Sequence, residues 1–358
     1  MALSHKLCLL LLMGFLILAA LSYLPALNSL HWFLRVGVPE IGLIFSLPAI
    51  PAALWLSRGY PKAALGISAL LVLLLAVPWV QAVGVAQQLS DGGLKPFTEA
   101  PDRFPLLLGD RAGIQMSTEE YKPGLAWDRY TPATVEPRAT FLFVHGGSWR
   151  NGTRKQYPQM FRYLAGRGYE VLSITYTLSG TAPYPAAPHD LQAAIDKAAE
   201  LQRPLFLSGR SSGGHLALLA AYTNPDKVKG VIGIYSPVDM KWSYDHPSNP
   251  NVLDSREAIV EFLTKTPEQD PELYREASPI DRVGVQGPPT LLIHGRADCL
   301  VYHKQSEMLL ARLRELKVDA ALLSMPWTEH GGDVTIYGPT GRLAVWAMEC
   351  FMESRIKK

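Results

Sequence analysis

Residues 204–216 read PLFLSGRSSGGHL. A short apolar run gives way to a glycine and then, within 212–216, to a helix-compatible pattern, so the segment reads as strand, sharp turn and helix. The turn has the form G-x-S-x-G. Such a turn strains one residue so that its side chain stands clear of the strand end, and the positions two before and two after it must be nearly free of side chain. That requirement chooses between the two adjacent serines. Ser211 has Gly209 and Gly213 in those places, whereas a frame centred on Ser212 puts Arg210 in a crowded one. The helix start behind Ser211 offers unpaired N–H groups and the positive end of its dipole to a developing negative charge. A phosphate-binding loop is disfavoured, because no lysine follows the glycines.

The same punctuation recurs on both sides. Apolar runs at 140–145, 169–177, 228–235, 290–294 and 320–324 alternate with helical patterns at about 189–202, 304–316 and 341–352. Continuous apolar runs are what strands buried on both faces require, and their alternation with helices implies crossover connections. The expected fold class is therefore α/β, with a doubly wound, mostly parallel sheet over residues 113–358. Ligands in such sheets bind beyond the carboxyl ends of the strands, so the residues after each run are the candidates.

Serine alone is a poor nucleophile and needs a base and an orienting carboxylate, expected in the chain order Ser, acid, His. Asp298 follows the TLLIH run, and His330 lies beyond ALLSM, followed by two glycines. Asp239, at the end of the 228–239 segment, is the competing acid. Glu329 is expected to point away from the base. The TFLFVH run ends in His145-Gly146-Gly147-Ser148-Trp149, where main-chain N–H groups of Gly146 and Gly147, with that of Ser212, would form an oxyanion hole. Trp149, Tyr176 and Trp327, near strand ends, are candidates for the wall of a substrate pocket. His215, His145 and His294 read as structural. Residues 240–283 break the strand–helix rhythm with several prolines and a short acidic helix near 255–264, and are a candidate cap.

Taken together, Trp127-Asp128-Arg129-Tyr130-Thr131-Pro132, HGGSW, Tyr176, Tyr184-Pro185-Ala186-Ala187 with Asp190, GRSSGGHLAL, LLIHGRAD and His330-Gly331 resemble the α/β-hydrolase fold. The likeness is greatest to esterases related to hormone-sensitive lipase and to bacterial feruloyl-esterase-like hydrolases. It covers about residue 113 to the C-terminus. It implies Ser211 as nucleophile, Asp298 and His330 as its partners, and the amides of Gly146, Gly147 and Ser212 as the oxyanion hole. Ser148, where a third glycine is common, and Arg210 depart from the usual pattern. The implied chemistry is hydrolysis of small-molecule or lipid-like carboxylic esters through an acyl-enzyme, with no metal or other cofactor. A peptidase or amidase of the same fold, an inactive membrane receptor or scaffold, and a transport component are the alternatives. The last is disfavoured, because the apolar runs lack intramembrane charged pairs.

Upstream the composition changes. The chain has 358 residues, 34 Lys+Arg against 32 Asp+Glu, yet residues 1–90 hold only Lys6, Arg35, Glu40, Arg58 and Lys62. A net charge of +2 gives no reason to expect a nucleic-acid partner. Three cysteines without metal-ligand spacing suggest neither a disulfide framework nor a zinc site. Charge-free runs at 7–27, 41–57 and 63–86 predict about three transmembrane helices within residues 1–88, since about 20 apolar residues cross a bilayer; the middle run is short, and its Pro48 and Pro51 would kink it or make it a re-entrant element. A cleavable leader over 1–26 is the alternative, but two further apolar runs follow it. Lys6 and the Arg58/Lys62 loop on one side place the N-terminus in the cytoplasm by the positive-inside bias, and three crossings export the hydrolase domain from the inner membrane. Residues 89–112 read as a linker. No oligomeric state is implied.

Overall fold

The computed structural model describes residues 3–91 and 113–356; the predicted linker lies largely outside the described residues. Eight strands form one sheet: β1 (Ile114–Lys122), β2 (Leu125–Pro132), β3 (Thr140–Val144), β4 (Glu170–Ile174), β5 (Leu205–Arg210), β6 (Gly230–Ile234), β7 (Thr290–Gly295) and β8 (Ala320–Met325). Their spatial order is β1-β2-β4-β3-β5-β6-β7-β8. β1 and β2 are antiparallel to each other and β2 is antiparallel to β4, while every pairing from β4 to β8 is parallel. The parallel strands β3, β4, β5, β6 and β7 are buried along their whole length, as their unbroken apolar sequences require.

Two apolar layers sandwich the sheet. One contains Leu142, Leu172 and Leu207 with α6 (Ala186–Ala199), α7 (Ser212–Thr223) and α12 (Lys304–Glu315). The other contains Phe141, Phe143 and Phe206 with α5 (Pro158–Gly166) and α13 (Pro339–Ile356). Between β6 and β7 lie four short helices, α8 (Met240–Asp245), α9 (Ser255–Leu263), α10 (Pro271–Glu276) and α11 (Pro279–Arg282), which fill the predicted insertion. Asp239, Asp254 and Asp270 start α8, α9 and α10 by accepting main-chain N–H bonds at 2.8, 2.9 and 3.1 Å.

The N-terminal segment holds four helices: α1 (Leu3–Leu21), α2 (Ser29–Phe45), α3 (Ala49–Ser57) and α4 (Pro61–Asp91). Two of them, α1 and α4, are long and apolar enough to cross a membrane. Of the three runs expected to span, only these two are long enough among the described residues, and the middle one is broken as its prolines suggest. The run 41–57 is the end of α2, a turn and the nine-residue α3, with Pro48 at the break and Pro51 in the first turn of α3. At ~1.5 Å per residue, a helix of that length reaches less than half of a bilayer core. Leu12, Leu56, Leu71 and Leu75 bind α1, α3 and α4 into a separate small core, while Ala82 and Ala86 of α4 join the phenylalanine layer of the sheet.

Candidate active site

Ser211 sits at the turn between β5 and α7 with φ 53° and ψ −125°. Only close packing of the neighbouring backbone holds an L-residue there. A Cβ on Gly209 would lie 2.3 Å from the Gly213 carbonyl oxygen, and one on Gly213 would lie 2.2 Å from that of His145. The two glycines of G-x-S-x-G are therefore steric necessities. The Ser211 N–H is anchored to the Ile234 carbonyl at 2.9 Å, tying the turn to the neighbouring strand.

The three residues separated by up to 119 positions converge. His330 Nε2 is 3.0 Å from Ser211 Oγ, and His330 Nδ1 is 2.7 Å from Asp298 Oδ2. Asp298 is nearly fully buried, and its Oδ1 accepts the N–H groups of Leu300 and Val301 at 2.9 and 2.8 Å. Burial alone would raise its pKa, but His330 and His294, the latter 3.3 Å from Oδ2, outweigh burial and hold it well below the ordinary carboxylate range. For His330 burial opposes protonation, yet Asp298 wins and raises the ring above the ordinary histidine value. The pair is thus poised to keep Nδ1 protonated and leave Nε2 facing the hydroxyl.

Asp239 does not join them; it caps α8. His145 and His215 are buried, and desolvation lowers each to about 4, so both are neutral near pH 7. The ring of His215 accepts from Trp149 Nε1 at 3.2 Å and donates through Nε2 to the Ala277 carbonyl at 2.7 Å, joining the HGGSW loop, α7 and the insertion. Gly146 passes so close to the turn that a Cβ would meet the Arg210 carbonyl at 2.8 Å and Ser211 Cβ at 3.3 Å. Gly147 has φ +127°, and a Cβ there would lie 2.1 Å from the Asn151 carbonyl oxygen. The loop therefore lies against Arg210 and Ser211.

A cavity beside Ser211 is lined by Ser148, Trp149, Trp242, Ile259, Val301 and Tyr302, among others, and by no Asp, Glu, Lys or Arg. Of the three aromatic candidates, Trp149 alone lines it. Tyr176 is buried behind the HGGSW loop, stacked on His145 at 4.4 Å, and Trp327 packs in the phenylalanine layer with Nε1 donating to Thr340 at 3.0 Å. Both end strands, but on the inner side of their loops. The cavity walls that sequence reading missed, Trp242, Ile259 and Tyr302, come from the insertion and the Asp298 loop, which carry no distinguishing pattern. Glu329 makes no bond to the His330 ring, but it is buried, and its Oε1 accepts the N–H groups of Cys299 and His330 at 2.8 and 2.9 Å.

Sheet order, strained serine turn and facing histidine define an α/β-hydrolase. The sequence matches the BD-FAE family over residues 127–313, just over half of the chain, and the protein belongs to that family. It is 32% identical over 241 residues to esterase LipC of Mycobacterium tuberculosis, covering 61% of this chain and 59% of LipC. Esterase LipQ of the same organism is 29% identical over 233 residues, covering 60% of this chain and 53% of LipQ. The chain thus spans less than two thirds of either relative. Among solved structures, a truncated carbohydrate esterase from gut microbiota superposes with a TM-score of 0.58 at 25% identity, over 70% of this chain and 99% of the other.

Proposed function

We propose that the protein is a membrane-anchored serine carboxylesterase, with residues 1–88 as anchor, 113–358 as hydrolase domain and 240–283 as cap. The observation that carries the reading is the 3.0 Å approach of His330 Nε2 to Ser211 Oγ, with Asp298 on the far side of the ring. In the reaction Ser211 Oγ attacks the ester carbonyl and its proton passes to His330 Nε2. Asp298 stabilises the resulting imidazolium. The amides of Gly146, Gly147 and Ser212 receive the oxyanion; each such donor is typically worth ~10²–10³ in turnover. Collapse breaks the C–O bond to the alcohol, which leaves with the proton from Nε2. A water then gives its proton to Nε2 and attacks the acyl-enzyme, and Ser211 departs with that proton as the acid is released. Every step uses the chain's own groups.

Anchoring is supported by the apolar side chains that α1 and α4 turn outward, including Leu10, Ile17, Leu65 and Leu73, each more than half exposed. Exposed apolar side chains grouped in this way mark surfaces that contact a membrane or another protein. Labelling with a fluorophosphonate tests the chemistry: the wild type is expected to react stoichiometrically at one serine and Ser211→Ala not at all. Undiminished labelling of the Ser211→Ala chain would remove the assignment.

A further inference from the structure

Helix α2 does more than connect two apolar helices. It lies against the two loops that carry Asp298 and His330, and Arg35, only 8% exposed, is buried in that contact. The Arg35 guanidinium pairs with the Glu329 carboxylate through Nη1, and its Nη2 donates to the Ala297 carbonyl at 3.2 Å. The other oxygen of Glu329 receives the N–H groups of Cys299 and His330. One carboxylate therefore ties the residue after Asp298 to the backbone of His330, while the guanidinium grips both that carboxylate and the residue before Asp298. Nearby, Glu40 of the same helix accepts the Thr340 N–H at 3.2 Å, and Trp32 lies beside Gly331.

We propose that Arg35 is a positioning residue for the ester-cleaving site: acting through Glu329, it fixes the Asp298 loop against the His330 loop, so that the membrane segment completes the active centre. The proposal rests on the assignment of Ser211, His330 and Asp298 made above. Its physical basis is that both ionic groups are buried, and removing one partner from such a pair strands the other in a poorly solvating site. Burial and the neighbouring Asp298 already raise the pKa of Glu329, and Arg35 is the cation that opposes them. Without it the carboxylate that gathers the two amides loses its counter-charge. A loop shift of about 1 Å at the reacting atoms is enough for a loss of ~10²-fold.

The ionic surroundings of His330 make the role separable from simple destabilisation. Asp298 faces the ring from the end of β7, Glu329 from its own loop and Asp333 from the following turn. The Tyr235 ring packs at 4.4 Å from the end of β6, Arg210 is paired with Asp333, and His294 sits on Asp298. Arg35 enters from α2. Glu329 is thus one of the anions that favour the protonated ring.

The test uses the full chain in detergent, with kcat expressed per Ser211 titrated by fluorophosphonate so that misfolded molecules do not count. Arg35→Ala is expected to lower kcat about 10-fold or more with KM within about twofold, and Arg35→Lys to recover part of the loss. Glu329→Gln keeps an acceptor for the two amides but removes the charge. It should lower kcat and move the acid limb of kcat/KM to lower pH, because the neutral, active imidazole then forms more readily. The double variant should be no worse than the more damaged single one, as befits residues acting as one unit. Wild-type kcat and acid limb in Glu329→Gln, or losses that multiply in the double variant, overturn the proposal. Should Arg35→Ala yield no titratable serine, Arg35→Lys and Glu329→Gln decide by the same criteria. A wild-type chain that is not labelled at all would instead sink the underlying assignment, so the two failures are distinguishable.

Discussion

His330 is held between opposing influences, and the balance sets a pH dependence. Asp298 raises the ring above the ordinary histidine value although burial pulls the other way. In the proposed reaction only the neutral ring takes the Ser211 proton, so the acid limb of kcat/KM should have its midpoint above about 6.5. Asp298→Asn should lower kcat by about 10⁴, by presenting the wrong tautomer. A pH–rate profile with a midpoint below the ordinary histidine value would contradict this electrostatic account. Two other histidines act in the opposite sense. His145 and His215 are lowered to about 4 by burial. Between about pH 6.5 and 4 the unfolded chain binds protons there that the folded chain refuses, so stability falls as pH is lowered across that window. Replacing His215 by Gln should make the acid slope of the urea midpoint shallower, while a loss of about 1–3 kcal/mol at pH 7 reports the disturbed Trp149 and Ala277 contacts. The serine turn was legible in the sequence because its steric demand is local: two glycines flank the serine at fixed offsets. Asp298 and His330 were legible from their order after strand runs. Glu329 was not, because the direction of a side chain in a loop depends on what packs over it, here Arg35 from about 290 positions upstream.

At the level of elements, the strands that sequence reading located are β3 to β7, buried on both faces, and the apolar but only half-buried edge strand β8; in each an apolar run needs no partner information to be recognised. The antiparallel β1 and β2 escaped because IQMSTEEYK is half exposed and rich in polar residues. Their pairing is secured instead by β2 lying on β4 in register from Trp127 with Ile174 to Tyr130 with Val171. The insertion was visible as a break in rhythm, but its four short helices gave no sign of which side chains would face Ser211. Those helices have a measurable consequence. Trp242 from α8 and Ile259 from α9 line a cavity of about 40 Å³ that has no Asp, Glu, Lys or Arg in its wall. A water-sized position takes ~10–15 Å³, so the space suits an acyl group of a few carbons. Turnover of p-nitrophenyl esters should peak between acetate and butyrate and fall about 10-fold or more by octanoate, and Trp242→Ala should move the optimum toward longer chains. An unchanged length profile in Trp242→Ala would show that α8 does not bound the acyl site.

For the molecule as a whole, the arrangement of the N-terminal helices bears on which side of a membrane the hydrolase domain lies. The His5 ring packs on Tyr60, the residue before α4, with ring centroids 5.7 Å apart. Further along, the Tyr23 hydroxyl donates to the Leu74 carbonyl at 2.6 Å. α1 and α4 therefore start side by side and run in the same direction. If both helices cross a membrane as proposed, the chain between them has to return, and the broken segment 41–57 lies along that path: Gly42 lies against Leu75, and Ser57 and Pro61 share one groove. Lys6, Arg58 and Lys62 gather at the end remote from the sheet, where Ala82 and Ala86 of α4 join the core. On the proposed anchoring, the positive-inside bias would assign these cations to the cytoplasmic face and Ser211 to the opposite side. A membrane-impermeant fluorophosphonate applied to intact cells should then label Ser211 fully. Trypsin added outside should leave the Arg58–Lys62 loop intact until the cells are opened. Labelling that appears only after lysis, together with cleavage of that loop from outside, would reverse the orientation. Labelling that appears only after lysis with the loop still protected from outside would place both on the inner face, and 41–57 would then be no crossing at all.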